Sequence, residues 1–189
     1  MSDFDFLKDY VIADKGDLKE AQGRVATKIM LRGSKHKFTP GKYAAFDGLS
    51  TGSTCTVLEE IKAYNDPEYP RTHDKFNNYQ IDMLKCSVVT AAAKNNKDEL
   101  GRFRRPLLMV FFTDRFMIWD LSKINWINTA KLILTNKEGT NYGEKEWSWQ
   151  VYLEFQDVIY DKEIPPTLWQ DVRTIIESYR PGIYDKIKS

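Results

Sequence analysis

The sequence predicts a single domain of the α/β (α+β) class, a central mixed sheet flanked by helices, and three stretches carry that expectation. From Asp17 to Leu31 the apolar residues Leu18, Ala21, Val25 and Ile29 recur at helical spacing. From Phe46 to Tyr64 the chain reads as the end of one short strand, a Gly/Ser/Thr turn and a second strand finishing in Glu60-Ile61-Lys62. Leu107 to Phe112 is a continuous apolar run, the pattern of a strand buried on both faces. Phe116 to Leu121 follows the Thr113-Asp114-Arg115 turn as its antiparallel partner.

At 189 residues, 42% hydrophobic and 13% aromatic, the chain can bury a core of its own. Its 28 Lys and Arg nearly cancel its 27 Asp and Glu, so any electrostatic footprint must be local rather than a basic coat or an acidic tail. Cys55 and Cys86 lack CxxC spacing and the histidines are His36 and His73, so neither a zinc site nor a disulfide scaffold is expected. The N-terminal Met-Ser-Asp-Phe-Asp-Phe-Leu-Lys is acidic where a signal peptide is basic, and no apolar run reaches membrane-spanning length. The expectation is a cytoplasmic protein without membrane contact.

Taken in order, Asp17 is the expected cap of the first helix and Gly33 its stop. Ser34 to Pro40 reads as a basic loop, and Pro40-Gly41 as a turn into a strand from Lys42 to Asp47. After the hairpin, Asn65 to His73 carries two prolines and alternating charge, which suits either an exposed connection or a loop that closes over a substrate. Asp74 to Ala93 is expected as the second helix, with Phe76, Tyr79, Met83, Leu84, Ser87, Val88 and Ala91 on its apolar stripe. Ala130 to Thr135 and Ser148 to Phe155 read as strands, and Pro165-Pro166 introduces a last helix that buries Leu168, Val172, Ile175, Ile176 and Tyr179. The aromatics of this second part, Trp126, Trp147, Trp149, Tyr152 and Trp169, are expected mainly in core and strand positions.

Strand alternation puts Thr56, Leu58, Glu60 and Lys62 on one face and Cys55, Val57 and Ile61 on the other, so Glu59 turns away from Glu60. The hairpin can bring Asp47 opposite Glu60 and Lys62. Two carboxylates and an ammonium in one small volume can hold a hard divalent cation beside an activated water. The plain alternative is a same-face Glu60–Lys62 ion pair on an ordinary strand. Glu20, one turn before Arg24, either makes a surface ion pair or faces this site, and Gln80 is either exposed or directs its amide toward the carboxylates. Lys35 and Lys37, and the cluster Arg102, Arg104 and Arg105, are either solvated or grip phosphates. No Walker-type loop, GxSxG elbow or GxGxxG fingerprint is present.

The order of these features (a helix with Glu20, a strand with Asp47, a strand with Glu60-x-Lys62, a helix with Gln80, then two apolar strands) resembles the PD-(D/E)xK nuclease superfamily. The resemblance covers roughly Glu20 to Leu121. It implies a restriction-endonuclease-like, resolvase-like αβββαβ core over about 15–122, elaborated by C-terminal strands and a helix over about 123–189. It also implies a Mg2+-dependent endonuclease that hydrolyses phosphodiester bonds, DNA in the first instance, with Mn2+ as a substitute ion. Asp47, Glu60, the Ile61 carbonyl and Glu20 would hold the metal, Lys62 would orient the attacking water, and Gln80 would complete the site. Nucleic acid is the implied partner, and a homodimer would allow both strands of a duplex to be cut. The competing expectation is a non-catalytic nucleic-acid- or protein-binding module with a decayed nuclease-like fold.

Overall fold

Asp14 rather than Asp17 starts the first helix. Its Oδ1 accepts the Asp17 N–H at 2.8 Å, so α1 begins earlier than expected and spans Lys15–Met30. Asp17 is instead buried and accepts the Ala13 N–H at 2.9 Å. Gly33, at φ +99°, stops the chain beyond the helix in a conformation that glycine adopts without a steric penalty. The computed structural model describes residues 3–40, 44–52, 56–64, 71–75, 78–136 and 145–188. Lys42, Tyr43, Cys55, Phe76 and most of the Asn65–His73 connection, all named in the sequence reading, lie outside them.

The remaining elements are β1 (Lys35–Phe38), β2 (Gly48–Thr51), β3 (Thr56–Ala63), β4 (Asn78–Asp82), α2 (Met83–Asn95), β5 (Arg105–Phe111) and β6 (Arg115–Asp120). They continue with the single turn α3 (Trp126–Thr129), β7 (Ala130–Asn136), β8 (Lys145–Glu154), β9 (Val158–Glu163), α4 (Leu168–Tyr179) and α5 (Ile183–Lys188). The stretch read as a basic loop is therefore a strand, in which Lys35 and Lys37 face out while His36 and Phe38 turn inward. Among the residues described between Lys42 and Asp47 there is no strand, and Asp47 immediately precedes β2.

The larger sheet has the order β1-β2-β3-β5-β6-β9, antiparallel throughout except for the parallel pair β3/β5. A parallel pair needs a crossover, and β4 with α2 supplies it. This crossover is where the sequence reading of one helix from Asp74 to Ala93 fails. Tyr79 and Ile81 are buried with Gln80 exposed between them, a period of two, and Asp82 caps α2 by accepting the Leu84 N–H at 2.8 Å. The expected stripe changes with it, because α2 buries Cys86, Val89 and Ala93 and leaves Leu84 and Val88 exposed.

Two cores result. One packs α1 and α4 on the face of the sheet bearing Val57, Ile61, Met109 and Phe111, through Val25, Ala26, Val172 and Ile176. The other lies beneath α2 and a second sheet of order β4-β8-β7, and joins Leu108, Val110 and Trp119 to Val89, Tyr79, Val151 and Leu153. Each fully buried aliphatic side chain contributes about 1.5–3 kcal/mol. Trp147 and Trp149 lie on a strand, β8, as expected, but stand more than half exposed rather than in the core. No helix among the described residues is long and apolar enough to cross a membrane.

Close approach of α1 to β3 depends on Gly23, where an added Cβ would lie 2.8 Å from Ile61 Cγ2. Overpacking costs about 1–3 kcal/mol, more than the helix-propensity gain of about 1 kcal/mol. Gly23→Ala should therefore lower the urea midpoint.

At the start of β5, Arg105 donates to Asp120 Oδ2 through Nε at 3.1 Å and Nη2 at 2.5 Å, while Ser122 Oγ donates to Oδ1 at 2.6 Å. Burial acts to raise the Asp120 pKa, but the hydrogen bonds from Ser122 and Arg105 and the Arg105 charge outweigh it and hold the carboxyl below its ordinary value. Its contribution is complete above the unfolded pKa of about 3.9 and is lost as pH falls through the lower folded value. Asp120→Asn should thus destabilise the protein at neutral pH and much less once the pH has fallen below the lowered folded-state value, as read from urea midpoints.

Candidate functional site

Antiparallel pairing of β2 with β3 runs from Thr51/Thr56 to Gly48/Glu59, yet the Asp47 N–H also donates to the Glu59 carbonyl at 2.8 Å. Two consecutive residues thus face one residue of β3, as in a β-bulge, a device that re-aims a side chain where pairing ends. Here it turns the Asp47 carboxylate inward, and Oδ2 accepts the Ile61 N–H at 2.6 Å. Gly48 has to be small, since a Cβ there would meet Glu59 Oε2 at 2.8 Å and Phe38 Cδ1 at 2.9 Å.

Glu60 is fully buried, and two lysines approach it. Lys62, two residues along the same strand face, places Nζ 3.0 Å from Oε1, and Lys85, from the first turn of α2, places Nζ 3.1 Å from Oε2. Neither approach is aligned as a hydrogen bond, so both carboxylate oxygens are ion-paired but not hydrogen-bonded. Burial, then the Asp47 charge, push the Glu60 pKa up, against the pull of both lysines. Burial would lower the Lys62 pKa, but Glu60 and Asp47 outweigh it and raise it, so the ammonium stays protonated at neutral pH.

Glu20 belongs to the same neighbourhood. Arg24 Nη2 pairs with Glu20 Oε1 and lies 3.7 Å from Asp47 Oδ1, so one guanidinium serves both acids. This pair is not on the surface: Arg24 is 1% exposed, donates through Nη1 to the Thr39 carbonyl at 2.6 Å and covers the Tyr10 ring at 4.7 Å. Burial raises the Glu20 pKa, Arg24 lowers it and Asp47 raises it again, while Lys62 also acts on it. The sequence offered Arg24 only as the i+4 partner of Glu20, and gave no sign of its burial.

Glu59 points to the opposite face, as alternation requires, where its Oε1 lies 2.9 Å from His36 Nδ1 with both side chains buried. Gln80 is not on a helix and is exposed on β4, opposite Tyr152 of β8, and the polar group that the following helix delivers to Glu60 is Lys85. The missed signal was Asp82, whose capping geometry sets the phase of α2 and with it the direction of Lys85.

The basic cluster lies at the far end of the parallel pair. Arg105 is level with Val57 and Lys62 with Val110, five residues or roughly 17 Å along the strand. Arg102 pairs with Asp98, Arg104 with Asn96 and Arg105 with Asp120. Lys35 and Lys37 stand exposed on the edge strand, in register with the face that carries Leu58 and Glu60.

Among the described residues, the group that gathers three potential metal ligands within 4.8 Å of one another is His73, Asp74 and Asp114, and the carboxylates of Glu20, Asp47 and Glu60 do not approach one another that closely. Both Asp114 oxygens are engaged there, accepting the His73 N–H at 2.9 Å and facing His73 Nδ1 at 2.6 Å. Burial and the Glu60 charge push the buried Cys86 thiol up to about 12, away from the thiolate form that a nucleophile needs. No protein-family profile, curated protein or solved structure matches this chain.

Proposed function

We propose that the chain is a metal-dependent nuclease hydrolysing phosphodiester bonds, DNA in the first instance. The observation that carries the reading is that Glu60 and Lys62 are ion-paired on β3 and the Asp47 carboxylate accepts the N–H of Ile61 between them, with Glu20 tied to Asp47 through Arg24. The order α1, β1, β2, β3, α2, β5, with β5 parallel to β3, supports a restriction-endonuclease-like core in which β4 is an addition.

The donors suit Mg2+, or Mn2+ in its place, because they are hard carboxylate oxygens and both oxygens of buried Glu60 lack an aligned hydrogen-bond donor. Asp47, Glu60 and the Ile61 carbonyl would hold the ion, with Glu20 joining directly or through water. When bound, it supplies a Lewis acid and a water of lowered pKa. The chain's own residues do the rest. Lys62, fully protonated, donates to the attacking water or to a phosphoryl oxygen rather than removing a proton. Lys85 fixes the second oxygen of Glu60, and Arg24 compensates the burial of Glu20 and Asp47. A second copy of the chain would supply the second cut in a duplex.

One observation favours a different reading. Glu20, Asp47 and Glu60 are already balanced by Arg24, Lys62 and Lys85, an arrangement that stands without an ion, as a non-catalytic nucleic-acid- or protein-binding module would require. Plasmid, linear duplex, single-stranded and branched DNA incubated with Mg2+ or Mn2+ separate the two. Cleavage by wild type that is lost in Asp47→Ala and Lys62→Ala supports the nuclease; equal cleavage by all three proteins would sink it. Absence of Mg2+ binding in calorimetry, with nucleic-acid or protein affinity intact, selects the module.

A further inference from the structure

We propose that Arg71 grips a backbone phosphate of the nucleic acid next to the scissile one, with its guanidinium seated on the ring of Tyr64; this deepens, and rests on, the nuclease reading. Tyr64 continues the alternation of Glu60 and Lys62 along β3, so its side chain leaves the strand on the face of the carboxylate and the ammonium. Its ring is fixed from behind, the hydroxyl lying 2.7 Å from the hydroxyl of buried Tyr79. Arg71 lies over the same ring, its guanidinium carbon 5.0 Å from the centroid.

Thr113 holds the two residues in this relation. Its hydroxyl donates to the Tyr64 carbonyl at 3.1 Å and its N–H to the Arg71 carbonyl at 2.9 Å, so both ends of the intervening chain are tied to one residue beside β5. The shelf belongs to the site electrostatically as well, since Tyr79 senses the charges of both Glu60 and Arg71 and Lys62 senses Tyr64.

What marks Arg71 as a ligand group is its freedom. It is exposed, and among the described residues no carboxylate pairs with it, as one does with Arg24, Arg102, Arg105 and Arg115. Arg173, over the Tyr184 ring, is likewise without one, and what distinguishes Arg71 from it is its seat on Tyr64 at the end of the row that holds Glu60 and Lys62. The nearby Asp114 is occupied by His73. An exposed guanidinium, pre-oriented on an aromatic face at the end of a row that already holds an ammonium, offers the planar fork that phosphate oxygens fit. Lys62 then meets the reacting phosphate and Arg71 a neighbouring one.

Fluorescence anisotropy with a short fluorescein-labelled duplex and its single strand, in Ca2+ to slow turnover, measures the effect at several salt concentrations. Arg71→Ala should raise Kd about tenfold and reduce the slope of log K against log[salt] by about 1, while Arg71→Lys restores the slope. Thermal stability should be unchanged, as for other exposed side chains. Unchanged Kd and slope in Arg71→Ala would overturn the assignment, as would a loss of binding that tracks a fall in Tm and is not rescued by lysine. If wild type shows Asp47-dependent cleavage and Arg71→Ala binds normally, this inference alone falls. If wild type neither binds nor cuts, the nuclease reading falls with it.

Discussion

Asp47→Asn should abolish cleavage, by about a thousandfold or more, or on the order of 4 kcal/mol in the barrier, while the protein remains folded. Asparagine keeps an acceptor oxygen for the Ile61 N–H, which now bonds Asp47 Oδ2 at 2.6 Å, but removes the negative charge that an ion requires. Asp47→Ala should lose the same activity and, in addition, about 1–3 kcal/mol of stability, because the buried Ile61 N–H is left without a partner. Single-turnover cleavage, Mg2+ calorimetry and urea midpoints on the two variants separate the chemical role of the carboxylate from its structural one. Wild-type cleavage by Asp47→Asn would remove Asp47 from the reaction.

Arg24→Ala should cost more in stability than any exposed substitution in the chain, about 3–5 kcal/mol, the usual consequence of removing one partner from a buried ion pair. For a domain of this length that is a fall in Tm of roughly 6–20 °C. Three groups lose a partner at once, although Asp47 keeps the Ile61 N–H: Glu20, Asp47 and the Thr39 carbonyl. Arg24→Lys keeps the charge but not the fork, and should fall between the two. Combining Arg24→Ala with Glu20→Gln should recover part of the loss, since the uncompensated buried charge is then smaller. A Tm within a degree or two of wild type for Arg24→Ala would mean that the two acids are not organised by this residue.

Much of this site could be read from the chain because its chemistry follows strand phase. Alternation places Glu60 with Lys62 and turns Glu59 away, and the structure agrees, Glu59 meeting His36 on the far side. The apolar run Leu107 to Phe112 likewise needed no tertiary information to be recognised as a strand buried on both faces. What escaped detection was decided by partners distant in sequence. Asn78–Asp82 reads as part of a helix until β8 is there to pair with it, which puts Gln80 on a helix in the sequence and on a strand in the structure. Lys35 to Phe38 looked like a basic loop because an edge strand with two exposed lysines carries a weak apolar pattern. Arg24 and Lys85 went unassigned for a related reason: a cation reveals itself as part of a site only once the acids it serves have been brought beside it.

The doubled facing of Asp47 and Gly48 on Glu59 also governs how such a site tolerates change in length. Twelve residues separate Asp47 from Glu60, and the register of β2 on β3 pairs Gly48 with Glu59 and Thr51 with Thr56. Deleting a single residue at the bulge shifts Asp47 by one step of the pleat and swings its carboxylate away from the Ile61 N–H. The step from Asp47 to Gly48 is therefore the rigid part of this spacing, and a search for this arrangement in other chains should fix the Asp-Gly step.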